Sequence, residues 1–122
     1  SAATNTGDKS AATNTGDQSA ATNTGDKSAA TNTGDQSAAT NTGNYSAATV
    51  SGKNSVAITT GIKGRVSGSL GSWLVCAEYV KDNSDDYNIS TIKTAQVDNI
   101  TIMQDTFYIV VNGEWVEYTD CY

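Results

Sequence analysis

Any chemistry in this chain has to come from hydroxyls, carboxylates and two thiols, because its 122 residues include no histidine. The hydroxyls are the most regular of these groups. A Thr-Asn-Thr triplet recurs every nine residues, giving Thr4 and Thr6, Thr13 and Thr15, Thr22 and Thr24, Thr31 and Thr33, Thr40 and Thr42. In extended backbone the two threonines of a triplet fall on one face, so the repeat predicts ranks of methyl and hydroxyl groups along that face. The carboxylates of Asp8, Asp17, Asp26 and Asp35 each follow a glycine at the same spacing. A calcium loop needs several oxygen ligands at alternate positions, and one Gly-Asp pair per unit reads as a turn instead. Asp82, Asp85 and Asp86 lack that spacing too and read as a solvated loop. Cys76 and Cys121 are the two thiols, an even pair that fits either one disulfide or a buried apolar Cys76. With no histidine to activate a serine or cysteine and no paired carboxylates marking a cleft, nucleophilic and acid–base catalysis lack their parts. The sequence therefore assigns no catalytic, cofactor-binding or metal-binding residues, and the expectation is a protein that is not an enzyme.

The elements that must position the threonines are legible in the repeat. Nonapeptides begin at Ser1, Ser10, Ser19, Ser28, Ser37, Ser46 and Ser55, with Gly7, Gly16, Gly25, Gly34, Gly43, Gly52 and Gly61 at the seventh position; an eighth unit, GRVSGSLGS, is degenerate. Self-similarity at a fixed period marks a solenoid. A disordered low-complexity tract would not hold seven glycines in phase. Within a unit, SAAT(N) suits a short strand, and the Asn, Gly and Asp of NTGD tolerate the positive φ of a tight turn. The ninth position alternates, as Lys9, Gln18, Lys27 and Gln36, so the true period is eighteen residues and lysine turns gather on one edge with glutamine turns on the other. The predicted fold is all-β: a two-sheet parallel β-solenoid of eighteen-residue coils with an antiparallel β cap at the C-terminal end. At the usual strand spacing four coils stack to about 20 Å. Strand alternation groups Ser1, Ala3 and Asn5 inward and Ala2, Thr4 and Thr6 outward. The inward set lets the sheets approach closely, with stacked asparagines satisfying one another and the turn backbone. Later units carry Val56, Ile58 and Thr60 in the outward set, which predicts a cover there from the C-terminal segment or a neighbouring chain.

Composition divides the chain into a repeat region, 1–72, and a cap region, 73–122. Only 37% of residues are hydrophobic, too few for a large conventional core. Nine of the 13 acids and all but one of the aromatic residues follow Ser72. SWLVCAEYV and ISTIKTAQV read as strands around the polar loop DNSDDYN, and TFYIVVNGEWVEY reads as a hairpin turning at Asn112 and Gly113. Trp73, Tyr79, Phe107, Tyr108, Trp115 and Tyr118 supply area to close the last coil, whose edge would otherwise template aggregation. The net charge of -6 and the absence of a basic patch argue against nucleic acid as a partner, and no apolar run is long enough to span a membrane.

The stretch GKNSVAITTG, Gly52 to Gly61, with its flanking SAAT units, resembles the repeats in the head domains of trimeric autotransporter adhesins. The resemblance is confined to residues 1–72 and is carried best by Asn54 to Ile58; it implies a parallel β-roll, an extracellular location and an elongated surface element on a bacterium or phage. The nine-residue period is shorter than that family's repeat, and the Ala and Thr of the first five outer faces offer little apolar area for a trimer. The Thr-x-Thr ranks resemble those of solenoid ice-binding proteins, which implies ice binding as the alternative to a structural role. The leading expectation is a structural or adhesive fibre unit, a homo-oligomer assembled head to tail through an uncapped N-terminal coil, with a cell-surface or matrix ligand as a further partner.

Overall fold

The computed structural model describes residues 2–118, which are all β. The repeat supplies β1 (Ala2–Asn5), β2 (Ala11–Asn14), β3 (Ala20–Asn23), β4 (Ala29–Asn32), β5 (Ala38–Asn41), β6 (Ala47–Val50), β7 (Val56–Thr59) and β8 (Arg65–Ser67). These are followed by β9 (Trp73–Lys81), β10 (Tyr87–Gln96), β11 (Tyr108–Val111) and β12 (Glu114–Glu117). Up to β9, odd strands form one sheet and even strands the other; β10 then joins the odd sheet, giving β1-β3-β5-β7-β9-β10, and β11 and β12 join the even one, giving β12-β11-β8-β6-β4-β2. Parallel register joins residues eighteen apart, Ala3 to Ala21 and Ala21 to Ala39, so two nonapeptides make one coil and the solenoid has about four turns. The degenerate unit keeps its place, for β8 pairs in parallel with β6.

Alternation puts the third and fifth residues of each unit inside. Ala12, Ala21, Ala30, Ala39, Ala48 and Ala57 form a thin apolar seam, flanked by buried Asn23, Asn32 and Asn41 and by buried serines. Methyl-sized side chains allow the sheets to close on each other, but they bury little area per residue. Side-chain ladders along the coil axis add to that seam. Ser28 takes the Ser10 amide proton at 3.0 Å and donates to the Gly7 carbonyl at 3.2 Å. Asn23 accepts from the Gly25 amide and donates from Nδ2 to the Ala29 and Ser10 carbonyls of the opposite wall. The asparagines stack in register, Asn5 on Asn23 on Asn41, and satisfy the turn backbone as expected, but their amide N–H groups go to carbonyls of the opposite wall and not to one another. Among the described residues no buried side-chain polar atom is left without a hydrogen bond, as a polar interior requires.

The turns differ from the sequence expectation in an informative way. Positive φ falls on the ninth residue, with values from 53° to 57° at Lys9, Gln18, Lys27, Gln36, Tyr45, Asn54 and Lys63. Close approach instead requires the in-phase glycines from Gly25 onward. A Cβ on Gly25, Gly34 or Gly43 would stand 2.0 Å from the carbonyl oxygen of the glycine one coil below. Left-handed backbone is strained for a non-glycine residue, and a hydrogen bond to the next coil compensates it: Lys27 N–H donates to the Asn44 carbonyl and Gln36 N–H to that of Lys53, both at 2.8 Å.

The compositional boundary at Trp73 is no break in packing. β9 stacks in parallel on β7, Trp73 beside Val56 and Val75 beside Ile58, and so supplies a fifth rung to its sheet. Here the alanine seam widens into Val50, Val66, Leu74, Cys76, Val97, Ile102, Tyr108 and Val110, one continuous cluster with the repeat interior. Two antiparallel hairpins finish the sheets, β9–β10 on one and β11–β12 on the other, the second turning at Asn112 and Gly113 with φ of 53° and 79°.

Candidate functional site

Three surfaces carry the residues singled out by sequence: the turn edges, the two sheet faces and the cap. On the edges, the eighth residue of each nonapeptide caps the turn one coil on. Asp8 accepts the Asp26 amide proton at 3.0 Å, Asp26 that of Asn44 at 2.9 Å, and Asn44 that of Ile62 at 2.9 Å. On the opposite edge Asp17 serves Asp35 and Asp35 serves Lys53. These carboxylates are engaged with backbone N–H groups, and no cluster of three potential metal ligands occurs among the described residues. The alternation at the ninth position separates a lysine edge from an amide edge, where Gln18 Nε2 donates to Gln36 Oε1 at 3.2 Å.

The threonines are exposed or half-buried, and the topology divides them between opposite faces. Thr4, Thr22 and Thr40, with Thr6, Thr24 and Thr42 beyond the strand ends, belong to the odd sheet; Thr13 and Thr31, with Thr15 and Thr33, belong to the even one. Each face therefore holds two columns, about 6.7 Å apart along the strand and with about 4.8 Å between coils. Val56 and Ile58, expected to be covered, remain half-buried beside Trp73, which is 47% exposed.

The aromatic residues of the cap have varied placements. Tyr108 is buried and its hydroxyl accepts the Met103 amide proton at 2.8 Å. Trp115 packs partly against the core, and Tyr79 donates its hydroxyl to the Thr60 carbonyl at 2.6 Å. Phe107 and Tyr118 flank the Arg65 guanidinium at 5.4 and 4.9 Å, a cation–π pairing on the even face. Trp73 stands on the outer face, so the plug of the last coil is mainly aliphatic, from Leu74, Val97 and Ile102.

Two acidic groups missed by sequence reasoning hold the cap together. Glu78 on β9 accepts the amide protons of Asn112 and Gly113, the latter at 2.9 Å, and so ties the odd sheet to the turn of the even-sheet hairpin. Nothing local signals a contact 35 residues away. Asp98 accepts from Ile100, Thr101 and Ile102, shaping the loop that inserts Ile102 into the core, and these three N–H donors draw its pKa below the ordinary value. Asp82 is lowered in the same way by Asn88, Ser84 and Asp86, consistent with a self-satisfied loop. Cys76 is buried, takes a 3.5 Å contact from the Thr59 hydroxyl and has its thiol pKa pushed up by burial. Cys121, the other half of the expected pair, lies outside the described residues.

No helix among the described residues is long and apolar enough to cross a membrane. Comparison with known proteins gives no matching family, no similar curated protein and no similar solved structure.

Proposed function

We propose that the chain is a structural or adhesive β-solenoid, a rigid rod or surface-display unit acting outside a bacterial cell or on a phage particle. The observation that carries this reading is the in-register stack itself. Backbone ladders and side-chain ladders run along a single axis through every coil, and the cap merges with the same interior. Such an object resists bending and keeps fixed ranks of side chains at its sides. Assembly head to tail is part of the proposal. In the second coil, Thr24 and Ala29 donate their amide protons to the carbonyls of Asn5 and Ser10 below; Thr6 and Ala11 hold the equivalent positions in the first coil. Among the described residues the other ends of the two sheets are the edge strands β10 and β12, an arrangement in which one copy can extend the sheets of the next.

Electron microscopy of the purified chain over a range of concentrations tests this. Filaments with a regular axial repeat are expected, and Thr6→Pro, which removes one donor from the first rung while leaving the interior intact, should abolish them. Isolated particles at every concentration would rule out self-assembly of this chain. The outward threonine columns support one second reading, ice binding, for which thermal hysteresis that falls when Thr22 and Thr40 are replaced by a bulky residue is the required result.

A further inference from the structure

We propose that the cleft where β9 leaves the solenoid binds a small aromatic carboxylate. It lies between the last lysine-edge turn and the two cap hairpins and encloses about 290 Å3. That is at the lower end of small-molecule pockets, room for a ring with one substituent. Its surface is mostly apolar, with Ile62, Ala77, Ile109 and Val111 beside the rings of Tyr79 and Tyr87. An aromatic ligand would find ring-stacking partners and lose little water of value there. The wall is also set in advance, since the Tyr79 hydroxyl is tied to the Thr60 carbonyl, and a preset wall lowers the entropy cost of binding.

Charge selects the rest of the ligand. Two charged side chains line the cleft, Lys63 and Glu78. Both Glu78 oxygens accept the Asn112 and Gly113 amide protons, so the carboxylate is held at the hairpin turn and Lys63 is the charged side chain left to meet a ligand. Lys63 is exposed at the rim, and the Lys81 ammonium sits 5.4 Å from the centre of the Tyr87 ring. Lys63 is thus the ammonium of the lining, at the rim of an apolar floor. The complement is a ring directed inward with a carboxylate at Lys63. This site is independent of the assembly role proposed above.

Titration of the full 122-residue chain with benzoate, followed by amide NMR, tests the assignment, with benzyl alcohol as neutral isostere and acetate as ringless anion. Saturable shifts confined to the amides of Ile62, Lys63, Ala77 to Tyr79 and Ile109 to Val111 are expected. Benzoate should bind about fivefold more tightly than the alcohol, as one charge-assisted contact at a wet rim allows, and acetate should not saturate. Lys63→Gln should bring benzoate down to the alcohol's affinity, and Ile62→Trp, which fills the cleft from its exposed side, should weaken both ligands. Absence of saturable shifts, equal binding of benzoate and alcohol to the parent chain, or a preference that survives Lys63→Gln would each overturn the proposal.

Discussion

Replacing Gly43 with alanine isolates the requirement for close coil-to-coil approach. The added Cβ would stand 2.0 Å from the Gly25 oxygen and 2.6 Å from the Gly25 carbon. An ordinary carbon–oxygen contact is more than an ångström longer, so the two coils must part at this turn. The hydrogen bonds that bridge them there include four close to the new carbon: Asn44 N–H to Asp26 at 2.9 Å, Lys27 N–H to the Asn44 carbonyl at 2.8 Å, Thr42 N–H to the Asn23 carbonyl at 3.0 Å, and Ser46 Oγ to the Gly25 carbonyl at 3.3 Å. Stretched by an ångström they lie beyond bonding distance, and at about 1 kcal/mol each their loss amounts to roughly 4 kcal/mol. Alanine restricts the unfolded chain more than glycine and returns about 0.4–1 kcal/mol. The net expectation of about 3 kcal/mol lowers a urea midpoint by on the order of 1–3 M. Gly7→Ala provides the control, because its Cβ would meet only side-chain atoms of Ser10 and Asn5, at 3.1 Å and beyond; its effect should stay within about 0.5 kcal/mol. Gly113→Ala separates the conformational contribution, since that residue has φ of 79° and nothing within 4 Å of the new carbon, and about 1 kcal/mol is expected. Urea unfolding of the three variants, with amide exchange to locate any local opening, is the assay. Equal losses at Gly7 and Gly43, or a loss at Gly43 no larger than at Gly113, would refute the close-approach argument.

Two further outcomes are expected. Asn41→Ala leaves the Gly43 amide and the Ser28 and Ala47 carbonyls without their side-chain partner, which should cost about 3 kcal/mol in urea unfolding, and clearly more than Asn5→Ala at the half-exposed first coil. The lowered pKa of Asp98 makes its contribution present above the unfolded aspartate value, about 3.9, and lost as pH falls through the lower folded value. The amides of Ile100, Thr101 and Ile102 should therefore shift together in NMR spectra on acidification below about pH 4, a transition absent from Asp98→Ala.

The parts of the fold that repeat are the parts the sequence displays. The alternation of Lys and Gln at the ninth position gives the eighteen-residue coil, and the small residues at positions one, three and five give the inward face, because each depends only on local periodicity. Asn112 and Gly113 announce their hairpin for the same reason. The role of the glycines was hidden: a turn residue without a side chain fits both positive φ and tight stacking, and only the distance to the coil below decides between them. The parallel docking of β9 was hidden as well, since WLVCAEYV reads as a buried strand whatever its partner. Of the cap, the aromatic residues are conspicuous in composition, yet Val97 and Ile102 on a loop help plug the end, and Glu78 ties two elements far apart in the chain. Such contacts are set by where hairpins meet, which no single segment encodes.

The pairing of two nonapeptides into one coil also constrains how such a protein can change in length. Adding or removing eighteen residues within the repeat preserves every neighbour relation, since Lys27 again lies over Lys9 and each odd strand over an odd strand. A nine-residue change in the units before β7 does not: at the altered point it sets lysine turns over glutamine turns, and although β9 stays stacked on β7 with Trp73 beside Val56, both move to the sheet opposite the one that holds β1. Gene-level expansion or contraction of this tract is thus tolerated in whole coils and penalised in halves, and the ninth residue records that parity.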